Sequence, residues 1–229
     1  MTTILVTGAN RGIGLELVKA LLNNGNTVVA TARQPDTANA LLELKKSRPG
    51  LEIETLDVTD EQSIAKLATK YDDRSLDGLI NNAGIIGPDD QSTLNMDFRG
   101  WMDTFATNTV APLQITQALM PALRQAPQAR ILTISSLMGS MSHSKSDRIA
   151  YRSSKTAVNK VMQALAEDVR QFNITVACAH PGWVQTDMGG ANADITPAQS
   201  GTGLIDLFEG LTIEKTGTFF NYDGTILPW

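Results

Sequence analysis

The segment Thr7-Gly8-Ala9-Asn10-Arg11-Gly12-Ile13-Gly14 constrains this chain more than any other. A short β-branched run, TILVT at residues 3–7, precedes it, and Leu15, Leu17, Val18, Leu21 and Leu22 follow at helical spacing. The pattern reads strand, glycine-rich turn, helix. Glycine accepts positive φ and has no Cβ to keep a phosphate away from the backbone. The helix start beyond it offers unpaired N–H groups and a partial positive charge. Gly8, Gly12 and Gly14 are spaced GxxxGxG rather than GxGxxG. In this strand-to-helix setting they predict a pyrophosphate cradle, with Asn10, Arg11 and Ile13 in the same turn.

The same alternation runs on along the chain. Strands are predicted at 26–32, 51–56, 76–81, 130–135, 173–179 and about 217–221. Between them fall a helix through Leu41 and Leu44, one from an N-cap at Asp60 to about Tyr71, and a long amphipathic stretch over 98–124. That stretch is predicted to be kinked or shifted near Pro112. Further helices are predicted at 151–171 and near 197–209. Strands separated by helices imply parallel βαβ units with ligands at the strand C-terminal ends. The expected fold is α/β: a Rossmann-type, doubly wound parallel sheet of about seven strands, forming a single domain over residues 1–229.

Composition narrows the function classes. Nineteen Lys and Arg against 24 Asp and Glu leave a net charge of −5, which argues against a nucleic-acid partner. No apolar run approaches the roughly 18 residues that cross a bilayer, and the opening residues carry no basic n-region, so no membrane partner is expected. The single cysteine, Cys178, excludes an internal disulfide, and no His, Cys and acid pattern completes a metal site. The expected location is cytoplasmic.

The second strand points to the choice of dinucleotide. An NAD site usually has an acid near its end, whereas here the chain reads Thr31-Ala32-Arg33-Gln34. Arg33 can make a forked contact with a 2′-phosphate, with Arg11 close enough to help, so NADP(H) is the predicted cofactor.

Tyr151 and Lys155 stand four residues apart, one above the other on a helix face. An ammonium beside a phenol stabilises the phenolate and brings its pKa towards working pH. With the glycine turn, Asp57-Val58, Asn81-Asn82-Ala83-Gly84, Asn108, Ser135-Ser136 and the run PGWVQTDM at 181–188, the chain resembles the short-chain dehydrogenase/reductase family over nearly its whole length. Within it, the chain is most similar to sniffer-type carbonyl reductases and C-factor-like proteins.

The resemblance implies a set of roles. Tyr151 protonates the carbonyl oxygen, and Lys155 lowers the tyrosine pKa and binds the nicotinamide ribose. Ser136 hydrogen-bonds the substrate oxygen, and Asn108 holds a water leading to Lys155. Asp57 and the Val58 backbone bind the adenine edge, and Asn82 and Ala83 line the adenosine ribose. Thr186 and the Val184 backbone position the carboxamide, and Gly84, Pro181 and Gly182 complete the cofactor surface.

The interval from Ser136 to Tyr151 is longer than the common family pattern. Ser135 and Ser140 therefore compete with Ser136, and the 137–150 loop becomes a candidate pocket wall. A hydrolase triad of Ser140, His143 and Asp147 lacks the G-x-S-x-G elbow.

The expected activity is NADPH-dependent reduction of a small apolar or aromatic aldehyde or ketone. The rival expectation is a signalling or regulatory NADP(H)-binding protein of the C-factor type. The resemblance also implies pairing through the helices at about 98–124 and 151–171, as a homodimer or homotetramer.

Overall fold

The computed structural model describes residues 2–229. Seven strands form one sheet: β1 (Thr3–Val6), β2 (Thr27–Ala32), β3 (Leu51–Thr55), β4 (Gly78–Asn81), β5 (Ala129–Ile134), β6 (Ile174–His180) and β7 (Thr218–Asn221). Their order is β3-β2-β1-β4-β5-β6-β7, and every adjacent pair is parallel. The inner strands are apolar almost throughout because helices cover both faces.

The helices are α1 (Gly12–Asn23), α2 (Asn39–Ser47), α3 (Glu61–Thr69), α4 (Phe98–Phe105), α5 (Ala111–Ala118), α6 (Met120–Leu123), α7 (Ile149–Val169) and α8 (Pro197–Glu209). One core packs Ile64 and Leu67 of α3, Ile115 of α5 and Val158 and Met162 of α7 against the sheet. The opposite core packs Leu17 and Leu21 of α1, Leu41 of α2 and Leu204 and Phe208 of α8. Among the described residues, no helix is long and apolar enough to cross a membrane.

From β1 the chain winds outward to β3, then crosses back to β4 beside β1. The crevice beyond the C-terminal ends of β1 and β4 is thus the switch point where ligands bind in such sheets. It falls between the glycine turn and the Asn82-Ala83-Gly84 segment.

The stretch over 98–124 is broken close to Pro112, as expected. It is interrupted before Pro112, by a π-helical turn at Ala106–Val110 that buries Asn108 and Thr109. Pro112 lies in the first turn of α5, where its missing N–H costs little. α7 also begins two residues earlier than the sequence pattern suggests, so Tyr151 belongs to its first turn. The N-cap at Asp60 is present as expected, its carboxylate accepting from Gln62 N at 3.0 Å.

Candidate active site

The glycine turn is shaped by its neighbours as well as by its own backbone. Gly8 and Gly12 have φ of +63° and +54°, which side chains rarely tolerate. A Cβ on Gly14 would lie 2.3 Å from the Gly8 carbonyl oxygen, and one on Gly8 2.9 Å from Ala83 Cα. Asn82 Nδ2 donates to the carbonyls of Thr7 at 2.9 Å and Gly8 at 3.1 Å. The amides of Asn82 and Ala83 both donate to the Thr7 hydroxyl at 3.0 Å. The Asn82-Ala83 pair therefore braces the turn from below, and Thr7 is a structural partner that the motif reading did not single out. At the start of α1, Arg11 provides no side-chain cap and the first turn holds no acid. Its amides are free for an anionic ligand, and Asn10 and Arg11 are exposed at the rim.

Arg33 is exposed just past β2. Across from it, the Asp57 carboxyl sits below the ordinary range because Thr59 donates twice to it, from N at 2.9 Å and Oγ1 at 2.8 Å, with the Arg33 charge adding. The half-buried Val58 follows Asp57 at the same edge. Arg11 turns away from this edge and pairs with Asp187. A segment from Pro181 to Gly190 thereby arches over the glycine turn. A Cβ on Gly12 would come to 3.5 Å from Thr186 Cγ2. The Thr186 hydroxyl donates to the Val184 carbonyl at 3.3 Å and accepts from Gly189 N at 3.2 Å. Gly182 has φ +85° and packs against Ile195 and Tyr222, while the Pro181 carbonyl accepts from Ser200 at 2.6 Å.

Tyr151 and Lys155 are both buried, at 8% and 4% exposure. Lys155 Nζ donates to the Ile134 carbonyl at 2.8 Å and lies 5.7 Å from the centre of the Tyr151 ring. Burial pulls the Lys155 pKa down to about 8. Burial pushes the Tyr151 phenol up, opposed by a hydrogen bond with Ser136 and by the Arg148 charge.

The structure separates the three candidate serines. Ser135 Oγ donates to Asn159 Oδ1 at 2.5 Å. Ser140 Oγ bonds Ser142 Oγ at 2.7 Å and the Trp229 carbonyl at 3.2 Å. Only Ser136 of the three meets the phenol, and it also accepts from Met138 N at 3.1 Å. Asn108 reaches the same cluster: a Cβ on Gly84 would lie 3.2 Å from Asn108 Oδ1 and 3.6 Å from Lys155 Nζ.

The remaining polar candidates do not join it. Asp147 pairs with Arg152 at 2.7 Å and His143 is exposed, so no triad with Ser140 forms. Burial lowers His180 to about 4 and raises the Cys178 thiol to about 12. Among the described residues, no three His, Cys, Asp or Glu side chains gather as a metal site. Gln91 and Ser154, which bond Tyr151 and Asn108, escaped the sequence reading. The loop holding Gln91 has no periodicity, and Ser154 reads only as a spacer between Tyr151 and Lys155.

A family model described as short chain dehydrogenase matches residues 2–195. The "C-signal" protein of Myxococcus xanthus is 38% identical over 156 residues, covering 67% of this chain and 93% of that protein. Among solved structures, the carbonyl reductase Sniffer of D. melanogaster is 34% identical with a TM-score of 0.94, covering 100% of both chains. An NADPH-bound carbonyl reductase from chicken fatty liver is 35% identical with a TM-score of 0.94, over 100% of this chain and 99% of that one. With the glycine turn, the switch-point crevice and the Ser136, Tyr151 and Lys155 cluster already in place, these matches show that the chain belongs to the short-chain dehydrogenase family.

Proposed function

We propose that this protein reduces aldehyde or ketone carbonyls with NADPH. The observation that carries the reading is the buried cluster of Ser136, Tyr151 and Lys155. It opens beside Gly84 and Asn108, next to the uncapped start of α1. The residues fit the cofactor: free helix amides for a pyrophosphate, and an exposed Arg33 where a 2′-phosphate would need a cation. The NADPH-bound relative supports the same choice.

The cofactor supplies a hydride to the carbonyl carbon. Tyr151 delivers its phenolic proton to the carbonyl oxygen, since burial keeps that proton on the phenol at neutral pH. Ser136 donates to the same oxygen and stabilises the charge that builds there. Lys155, fixed by the Ile134 carbonyl, holds a positive charge beside the phenol and would hold the ribose hydroxyls of a bound cofactor. Asn108 fixes the Gly84-Ile85 backbone alongside Lys155. Asp57, Val58, Asn82 and Ala83 would hold the adenosine half of the cofactor, and Pro181, Gly182, Val184 and Thr186 the nicotinamide half.

Met141, Trp183 and Met188 are exposed apolar side chains on the two segments that follow Ser136 and Pro181, and they support an apolar substrate side. A small apolar or aromatic carbonyl compound suits it. Exposed Phe98, Met102 and Val110 along α4 and the π-helical turn support self-association as a homodimer or homotetramer. A cytoplasmic location fits a chain whose one cysteine is free and buried.

The test is NADPH consumption with a panel of aromatic aldehydes and diketones. Turnover that is selective among them supports the enzyme. Tight NADPH binding without turnover overturns it and favours a regulatory role, which the C-signal likeness also supports.

A further inference from the structure

The helix that carries Tyr151 and Lys155 has no cap of its own. Arg148 precedes its first turn with φ of +52°, and its side chain caps nothing. Helices ordinarily fill this position with Ser, Thr, Asp or Asn, whose oxygen accepts from a first-turn amide. Here the acceptor comes from Gln91, in the loop between β4 and α4. Ile149 N donates to the Gln91 carbonyl at 2.9 Å, and Tyr151 N donates to Gln91 Oε1 at 3.1 Å. The other end of the same amide group is also engaged. Gln91 Nε2 donates to the carbonyls of Pro88 at 2.6 Å and Ile86 at 3.2 Å. Gln91 is 8% exposed, so these bonds are made out of water.

We infer that Gln91 is a positioning residue for Tyr151, capping α7 from outside and tying the phenol to the loop that leaves Gly84. The inference rests on reading Tyr151 as the proton donor. Arg148 gives the reason the tie matters. A non-glycine residue in the left-handed region is strained and persists only where its surroundings over-determine it. Freeing the Tyr151 amide lets the first turn of α7 fray and Arg148 relax. The phenol then shifts against Ser136, and misplacement by about 1 Å can cost on the order of 10²-fold in rate.

The test compares wild type with Gln91→Ala, Gln91→Glu and Tyr151→Phe in NADPH-dependent reduction of an aromatic aldehyde. NADPH affinity by fluorescence and Tm are measured alongside. Gln91→Ala is expected to lower kcat by about tenfold or more at a temperature well below Tm, with NADPH Kd changed by less than about twofold. Gln91→Glu carries its own control. As a neutral acid it keeps both acceptor and donor; as a carboxylate it faces the Pro88 and Ile86 carbonyls, with Asp89 and Asp90 nearby, Asp147 already paired with Arg152, and Arg148 as the cation lining the same hollow. It should be slow at about pH 8 and recover on acidification to about pH 5.5, which Gln91→Ala cannot do.

A bond that merely supports the loop would lower Tm and leave both kcat and its pH profile unchanged, and that result overturns the inference. If Gln91→Ala does not fold, the pH recovery of Gln91→Glu decides. An active Tyr151→Phe overturns the proton-donor reading and this inference with it. An inactive Tyr151→Phe beside unimpaired Gln91 variants overturns the positioning role alone. In the cofactor-free protein, the Tyr151 amide should exchange with solvent at least about tenfold faster in Gln91→Ala, and unchanged protection counts against the inference.

Discussion

Asn108 grips both backbone polar groups of Ile85: Oδ1 accepts from Ile85 N at 2.9 Å, and Nδ2 donates to the Ile85 carbonyl at 2.8 Å. Nδ2 also reaches Ser154 Oγ at 3.0 Å, on the helix that carries Tyr151 and Lys155. The π-helical turn at Ala106–Val110 makes this possible. The extra residue in the turn swings Asn108 inward to meet the loop segment beyond β4. One side chain thus joins the backbone leaving Gly84 to the face of α7.

Removing it takes away both part-buried bonds to Ile85 and the buried bond to Ser154 Oγ. Asn108→Ala should lower folding stability by about 1–3 kcal/mol, read from urea unfolding. Asn108→Asp keeps the acceptor and loses the donor, so it should cost a similar amount at neutral pH. A stability change near zero for both variants would mean that Ile85 is held by other bonds.

Tyr151→Phe keeps the ring and deletes the proton. NADPH binding by fluorescence should survive while turnover falls by about 10²–10⁴-fold. Retention of more than about a tenth of wild-type activity would remove Tyr151 from the role of acid.

Arg33→Ala should weaken NADPH by about 10–100-fold and leave NADH nearly unchanged, because a charge-assisted bond contributes roughly 1.5–3 kcal/mol. Arg11→Ala should do less, since Arg11 is engaged with Asp187. Adding Ala32→Asp should go further, as a carboxylate repels the 2′-phosphate. The ratio of kcat/KM for the two cofactors is the measurement, and a ratio unmoved by Arg33→Ala sinks the proposed selectivity.

The pH dependence of reduction should be set by Lys155. Its ammonium is present below about 8 and lost above, whereas burial keeps the Tyr151 proton in place to higher pH. The reduction rate should therefore be flat through neutrality and fall as pH rises past about 8. Lys155→Met should be slow at every pH, without that limb. A wild-type rate that holds level well above this range would contradict the assignment.

His180 should link stability to acid. Its folded-state pKa of about 4 lies below the ordinary 6.5, so the folded protein binds fewer protons than the unfolded chain between these values. Stability is therefore complete above about 6.5 and declines as pH falls towards 4, by roughly 3 kcal/mol over the whole window. His180→Asn should flatten this decline in urea unfolding at pH 7 and pH 4.5. Equal slopes in both proteins would refute it.

The sequence by itself determined the alternation of strands and helices, the glycine turn, and the registry of Tyr151 over Lys155. Each of these is local: period, turn chemistry and helix spacing act within a few residues, so reading along the chain recovers them. The Asp60 cap belongs to the same class, a carboxylate accepting from an amide two residues on. Only the tertiary structure decided which of three adjacent serine candidates meets the phenol, because that depends on how the 137–150 loop packs against α7. It also gave the break near Pro112 its form, a π-helical turn just before the proline that buries Asn108 and aims it at Ile85. The partners of Arg11 and Tyr151 N lie 176 and 60 residues away in the chain. Such contacts follow from the order β3-β2-β1-β4-β5-β6-β7, which brings the ends of distant strands to one crevice, and no local pattern in the chain encodes that order.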